Sequence, residues 1–455
     1  MTAPTPTYGQ DARAILKLGT PLILSNMAQF AIHMTDALML GWYSVTALAA
    51  STIAGTMFFL IFIVGSGFGQ ALTPLVAAAA AAGDERQVRR VTRMGCWLSV
   101  IYGAVMMLPL IWSEAILRAI GQPPEVAALA QEYLHIVAFS LIPALLVMAL
   151  KSFFAGIERT GIILWSTVIT AVLNGLLNYA LIFGNWGAPE LGIRGAAIAS
   201  VTLTTLNVVA LFVYALWKTP QFRLLQNVLA PDAEIMARVF RLGWPIGLTA
   251  LAEGGLFGAS AVMMGWLGAV PLAAHGIAIQ IAGLTFMIHI GFSQAATVRA
   301  GRAMGRHDAA GLRQGGLVAI GLSAVISLTT MAIFMSFPAG LVGLFVDRTD
   351  PARDAVLAVG AGLMIMAGLF QVVDALQVMA LGLLRGVQDT QVPMIMAVIS
   401  YWMIGMPVGY VLGIPLGFGG IGIWVGLVVG LTAAAALLHW RFWTQSLHSA
   451  LSPAA

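Results

Sequence analysis

Apolar stretches of about 20 residues or more recur along the whole chain, each long enough to cross a bilayer as a helix. Nothing else constrains the fold as strongly. Inside hydrocarbon every backbone N–H and C=O must be paired within the protein, so such stretches become helices or strands of a closed barrel. Barrel strands would alternate polar and apolar over ~10 residues, and no such alternation is present. Charged residues make up only 9% of the chain, against about 25% in soluble domains. A water-exposed globule is excluded, and an all-α polytopic membrane protein is expected.

Charges and turn signals separate twelve segments, roughly 14–42, 48–77, 91–113, 127–155, 161–184, 192–217, 237–266, 272–300, 312–336, 355–384, 391–413 and 419–443. With twelve spans both termini lie on one side. The N-terminus, the loops 78–92, 156–160, 218–236, 301–311 and 385–390, their flanks and the C-terminus hold 18 of the 22 Lys and Arg. The opposite face holds Arg118, Arg194, Arg348 and Arg353. Lys and Arg bias sets orientation, so both termini are expected to be cytoplasmic. The first twelve residues are polar and the apolar segment behind them is too long for a signal-peptide core, so the chain is expected to be its own anchor.

The second constraint is duplication. Shifting Leu18–Thr73 by 224 residues lays it on Leu242–Thr297 without a gap, and 21 of the 56 pairs are identical. A composition this biased would give roughly six. Leu18-Gly19-x-Pro21 recurs as Leu242-Gly243-x-Pro245, and Met39-x-Gly41-Trp42 as Met263-x-Gly265-Trp266. Leu48-Ala49-Ala50 recurs as Leu272-Ala273-Ala274, and Gly67-Phe68-x-Gln70 as Gly291-Phe292-x-Gln294. The copies differ at ionisable positions: Asp36 falls opposite Ser260, and Glu253 opposite Gln29.

The basic linker 218–236 divides the chain into an N-terminal lobe, 1–217, and a C-terminal lobe, 237–455. Six spans per half make the halves parallel repeats, a transporter architecture with its site near the midplane. Pro21 and Pro245 are expected about one turn inside the first helix of each half. They read either as helix-start residues or as kinks.

Three acids fall deep within spans, Asp36, Glu253 and Asp374, and no Lys or Arg is expected equally deep. Charges there cost ~2.5–3.5 kcal/mol on insertion scales and mark ion or substrate pathways. At ~1.5 Å per residue, Glu253 lies about 18 Å from Arg241, Asp374 about 17 Å from Arg385, and Asp36 about 28 Å from Lys17. Glu253 and Asp374 thus share a level, and Asp36 sits nearer the outer face. Asn174 and Asn178 share one face of the fifth span at i, i+4. With Asp36, and Ser200 more weakly, they form an expected first-half pocket. Such oxygen-rich clusters suit a proton or a hard cation such as Na⁺, held at Asp36, Asn174 and Asn178. Candidate substrate-cavity residues are Gln29, His33, Met34, Met263, His289 and Phe370, the methionines supplying adaptable apolar surface.

Cys96 is alone, so neither a disulfide frame nor a cysteine metal site is possible. Net charge of +4 is too small to point to nucleic acid. No H-E-x-x-H, P-loop or G-x-S-x-G occurs, so no enzyme activity is expected, and uphill transport must draw on an ion gradient.

The doubled L-G-x-P…M-x-G-W…L-A-A pattern, Met34-Thr35-Asp36-x-x-Met39-x-Gly41, and Asn174-x-x-x-Asn178-Tyr179-x-x-Ile182-Phe183-Gly184 resemble multidrug and toxic compound extrusion (MATE) transporters. The additional acids in the seventh and tenth spans resemble the NorM branch. The resemblance implies two six-helix lobes in a V and cation-coupled antiport of cationic, amphiphilic drugs, with no cofactor beyond H⁺ or Na⁺. It implies a cation site at Asp36, Asn174 and Asn178 and another at Glu253 and Asp374. Phe370 departs from a Tyr that joins the cation site in NorM-like relatives, which favours H⁺. The expected partners are small organic cations and the lipid bilayer, and the chain is expected to act as a monomer. Alternatives are a lipid-linked precursor flippase of the same superfamily, which would need several deep basic residues, and a non-transporting receptor or scaffold.

Overall fold

The computed structural model describes residues 7–119 and 121–447. Twelve of its helices are long and apolar enough to cross a membrane. The first six are α1 (Tyr8–Tyr43), α2 (Val45–Ala81), α3 (Glu85–Ile111), α4 (Pro124–Gly156), α5 (Thr160–Phe183) and α6 (Ile193–Lys218). The second six are α7 (Ala233–Leu267), α8 (Ala269–Gly305), α9 (Ala309–Ser336), α10 (Arg353–Gly386), α11 (Gln391–Gly413) and α12 (Gly419–Ser446). No strand occurs among the described residues. The chain is an all-α, multi-pass membrane protein.

Local chemistry sets the helix ends. Asp84 and Asp308 cap α3 and α9 by accepting from the backbone N–H of Gln87 and Gly311, each at 2.8 Å. Gly184, at φ 72°, ends α5 in the left-handed conformation that a side chain would disfavour. Pro21 and Pro245 lie well inside α1 and α7, which begin at Tyr8 and Ala233. The helix-start reading is therefore corrected: both helices begin about one to two turns before the apolar segment. Each proline removes a backbone donor from a helix interior.

Packing divides the chain into two compact units, Leu24–Gly247 and Met1–Ile23 with Leu248–Ala455. The division runs inside α1 and α7, two residues beyond each proline. Within the first unit, Gly67 and Phe68 of α2 lie against Gly243 of α7. Within the second, Phe292 of α8 lies against Gly19 of α1, and Gly291 against Ile23. The most faithfully repeated motifs are thus partners of one another, and the same contact is built twice.

The linker 218–236 belongs to the Leu24–Gly247 unit and is stitched to α3. Arg90 Nε donates to Asp232 Oδ2 at 2.6 Å, Arg93 Nη1 to the Asn227 carbonyl at 2.9 Å, and Trp97 Nε1 to the Val228 carbonyl at 2.8 Å. The guanidinium of Arg90 holds the Asp232 carboxyl below its usual range. In the other unit the N-terminal turns of α1 are fastened by Asp11, which is buried. Its carboxylate accepts from Arg299, and from Gln314 Nε2 at 2.9 Å.

Small residues let α11 and α12 touch backbone to backbone. Gly405, Gly409 and Gly413 recur every four residues on α11, and Gly422, Gly426 and Gly430 do so on α12. A methyl group on Gly405 would stand 3.0 Å from Gly430 Cα, and one on Gly409 3.2 Å from the Ile423 carbonyl. Such small-xxx-small seams drive helix association where lipid supplies no hydrophobic force. At this seam, Ile399–Gly405 winds as a π-helix.

Candidate functional site

In the Leu24–Gly247 unit the structure brings together Asp36 of α1 with Asn174 and Asn178 of α5. Asn174 Nδ2 donates to Asp36 Oδ1 at 3.0 Å and Asn178 Nδ2 to the same oxygen at 2.6 Å. The i, i+4 spacing aims both amides from one helix face, and both asparagines are buried. Hydrogen bonds to a charged group contribute about 1.5–3 kcal/mol each, so the two amides are the polar contacts that hold this side chain in place. Asn178 Oδ1 is buried and has no donor. His33, one turn before Asp36, is within its electrostatic reach but exposed.

Tyr133 of α4, which sequence reasoning missed, lies against Ser200 and within electrostatic reach of Asp36. It connects the weaker candidate Ser200 to the cluster. Gln29 is exposed and Met34 half-buried. Lys151 is a cation that the sequence reading did not place among these helices. It projects from α4 to donate to Thr167 Oγ1 of α5 at 2.8 Å, and Thr167 in turn meets Ser25 of α1 at 2.8 Å. Its place near loop 156–160 concealed this, because a long side chain carries its charge well away from its own backbone.

In the other unit Glu253 of α7 and Asp374 of α10 lie within electrostatic reach of each other. Asp374 is buried, and Glu253 Oε1 and Asp374 Oδ1 have no hydrogen-bond donor. Arg385 of α10 acts electrostatically on Glu253. The expectation that the acids lack a nearby cation is thus corrected at Glu253. Helical side chains point toward the N-terminus, so an arginine at the end of α10 reaches back along the helix.

Further polar groups border this pair. Gln377, one turn beyond Asp374, donates from Nε2 to the Tyr401 hydroxyl at 2.5 Å. Trp402 Nε1 donates to the carbonyl of Ala252, the residue before Glu253, at 3.1 Å. The i, i+3 relation of Gln377 to Asp374 was legible in the sequence. The role of Tyr401 and Trp402 was not, since the π-helical turn that aims them has no sequence signature.

The remaining candidates pack into the interior of this unit. Met263 is buried, and Phe370 is enclosed edge-on by Phe257 and Trp424. His289 Nδ1 pairs with Ser323 Oγ at 2.8 Å, and its Nε2 has no partner. None of the three presents an accessible side chain. Among the described residues no group of three or more His, Cys, Asp or Glu is placed to hold a metal ion. A hard cation would depend on neutral oxygens beside the one carboxylate of Asp36 or the Glu253–Asp374 pair.

The MatE family model matches residues 21–180 and 245–411, one match in each half. The chain is 45% identical to "Probable multidrug resistance protein NorM" of Rhizobium meliloti (strain 1021), over 97% of this chain and 95% of that protein. It is 42% identical to the protein of the same name in Agrobacterium fabrum (strain C58 / ATCC 33970), over 94% and 93%. Among solved structures, the eukaryotic MATE transporter AtDTX14 superposes with a TM-score of 0.86 at 21% identity, covering 98% of this chain and 99% of that one. A MATE protein crystallised with MaL6 gives 0.87 at 20% identity, covering 96% and 97%. Both halves of the duplication carry the family pattern, and the chain belongs to the MatE family of transporters.

Proposed function

We propose that the chain is a secondary active multidrug efflux antiporter of the inner membrane, with both termini cytoplasmic. It exports cationic and amphiphilic organic compounds in exchange for H⁺ or Na⁺. The observation that carries this reading is the Asp36 cluster, an intramembrane carboxylate met by two amide donors rather than by Lys or Arg. The names of the NorM relatives point to the same activity.

A carboxylate held this way is ready to accept a cation. Protonation removes the charge that made both amide bonds strong, and the cluster loosens. Pro21 lies on the same helix, where the missing backbone bond makes bending less costly. Loss of the bonds at Asp36 then shifts the balance between two shapes of α1, coupling ion entry to drug release. The amide nitrogens, not the oxygens, face Asp36. A Na⁺ ion would need those oxygens turned inward, so the arrangement favours H⁺.

The test is ethidium efflux from cells expressing wild type or Asp36→Asn, followed by antiport in proteoliposomes under a pH gradient or a Na⁺ gradient. Asp36→Asn is expected to abolish efflux while reaching the membrane normally. Unchanged efflux would remove Asp36 from the mechanism, and no substrate movement under either gradient would overturn the antiporter.

A further inference from the structure

Three buried oxygens in the Leu248–Ala455 part of the chain, Glu253 Oε1, Asp374 Oδ1 and Gln377 Oε1, have no hydrogen-bond donor. Leaving a buried acceptor unsatisfied costs about 1–3 kcal/mol, and three around one locus point to something that is bound only part of the time. The fourth oxygen there is the hydroxyl of Tyr401, which is fully buried. It is within electrostatic reach of Glu253, Asp374 and Arg385, while the facing helix α12 contributes Gly426 and Gly430 at this level.

The Tyr401 oxygen accepts from Gln377 Nε2 at 2.5 Å. A phenol oxygen has two lone pairs and one hydrogen. One lone pair is thus engaged by Gln377, and the other, with the O–H hydrogen, is free to serve the carboxyl pair. The backbone is adapted to hold the phenol there. Ile399–Gly405 is π-helical, and α-helices interrupted in this way frequently do so at functional sites. The glycine seam with α12 fixes that turn. On the other side, Trp402 anchors it to the Ala252 carbonyl at 3.1 Å.

We propose that Tyr401, oriented by Gln377, is a member of the coupling-ion site formed by Glu253 and Asp374, supplying the neutral oxygen that completes it. This rests on the antiporter reading, but it can be tested without transport.

The experiment measures the melting temperature of the purified, detergent-solubilised protein against Na⁺ concentration and against pH, since an ion bound only to the folded state stabilises it. The ion-linked part is defined as what Glu253→Gln removes. Tyr401→Phe keeps the ring and is expected to raise the half-saturating ion concentration about tenfold, the scale of one hydrogen bond to a charged group. Gln377→Leu is expected to move it in the same direction, and the double variant no further than the larger single effect. The same order is expected for half-saturation of antiport in proteoliposomes.

An unchanged half-saturation in Tyr401→Phe, with only the overall melting temperature lowered, would make Tyr401 a packing residue and overturn the proposal. So would a wild type with no ion-linked part that Glu253→Gln removes. An ion-linked melting shift that depends on Tyr401 but is accompanied by no transport would keep this inference and overturn the antiporter instead.

Discussion

Gly19 stands against the ring of Phe292, so that a methyl group on it would lie 3.2 Å from Cδ1. Their counterparts 224 residues away, Gly243 and Phe68, meet in the same way, each pair inside one compact unit. The repeated motifs persist because each is half of a contact that exists twice.

These contacts leave no room for a side chain. A methyl group on Gly67 would stand 2.6 Å from the Gly247 backbone nitrogen, and one on Gly291 2.8 Å from that of Ile23. Backbone cannot rotate aside as a side chain does. Gly67→Ala and Gly291→Ala are each expected to cost about 1–3 kcal/mol, read as a lower melting temperature in detergent. Gly258→Ala, which faces open space within α7, is the control and is expected to gain about 0.5–1 kcal/mol.

Asp11 and Arg299 form a buried ion pair supported by Gln314. Removing one partner strands the other, so Asp11→Ala is expected to destabilise by about 3 kcal/mol. Arg299 is partly exposed, which keeps its own truncation milder. A double-mutant cycle of Asp11→Ala with Arg299→Ala, followed by thermal melting, should give strongly non-additive losses. Additive losses would mean that the two charges act independently.

Asp232 gives a pH signature. Arg90 depresses its folded-state pKa, so the stability it contributes is fully present above the unfolded value of about 3.9. That contribution is lost as pH falls through the lower folded value. Solvent screening limits it to about 1 kcal/mol or less. The melting temperature of wild type should exceed that of Asp232→Asn by a constant margin between pH 5 and 8 and approach it below about pH 4. A margin that widens in acid would contradict the assignment.

Asn178 makes the shorter of the two bonds to Asp36. Asn178→Leu removes that donor at similar size and is expected to slow efflux about tenfold or more, the scale of one bond to a charged group. Asn174→Leu, which removes the longer bond, should do less. Initial rates of ethidium efflux at matched expression decide the order, and equal effects would show that distance does not rank the two.

Much of the fold could be read from the sequence, because the bilayer leaves a helix few choices: length, hydropathy and Lys/Arg placement mark each span. The Asp36 trio was legible for a related reason, since an acid in hydrocarbon demands partners and two asparagines at i, i+4 supply them. Tyr401 and Trp402 escaped because a π-helical turn changes which residues face inward without changing composition. The contacts of Lys151 and Arg385 escaped because a long cationic side chain places its charge several ångströms from its own backbone. Pro21 was ambiguous because the polar turns that extend α1 to Tyr8 do not add to the hydropathy of the span.

The pairing of Gly19 and Ile23 with Phe292 and Gly291 has a consequence for synthesis. The beginning of α1 is made some 270 residues before its packing partner. At about 5–20 residues per second, that interval is roughly 15–50 s. Throughout it, Asp11 waits for Arg299 and the first turns of the protein have nothing to dock against. A chain arrested before α8 would therefore hold a nearly finished six-helix half with the leading end of α1 unmoored.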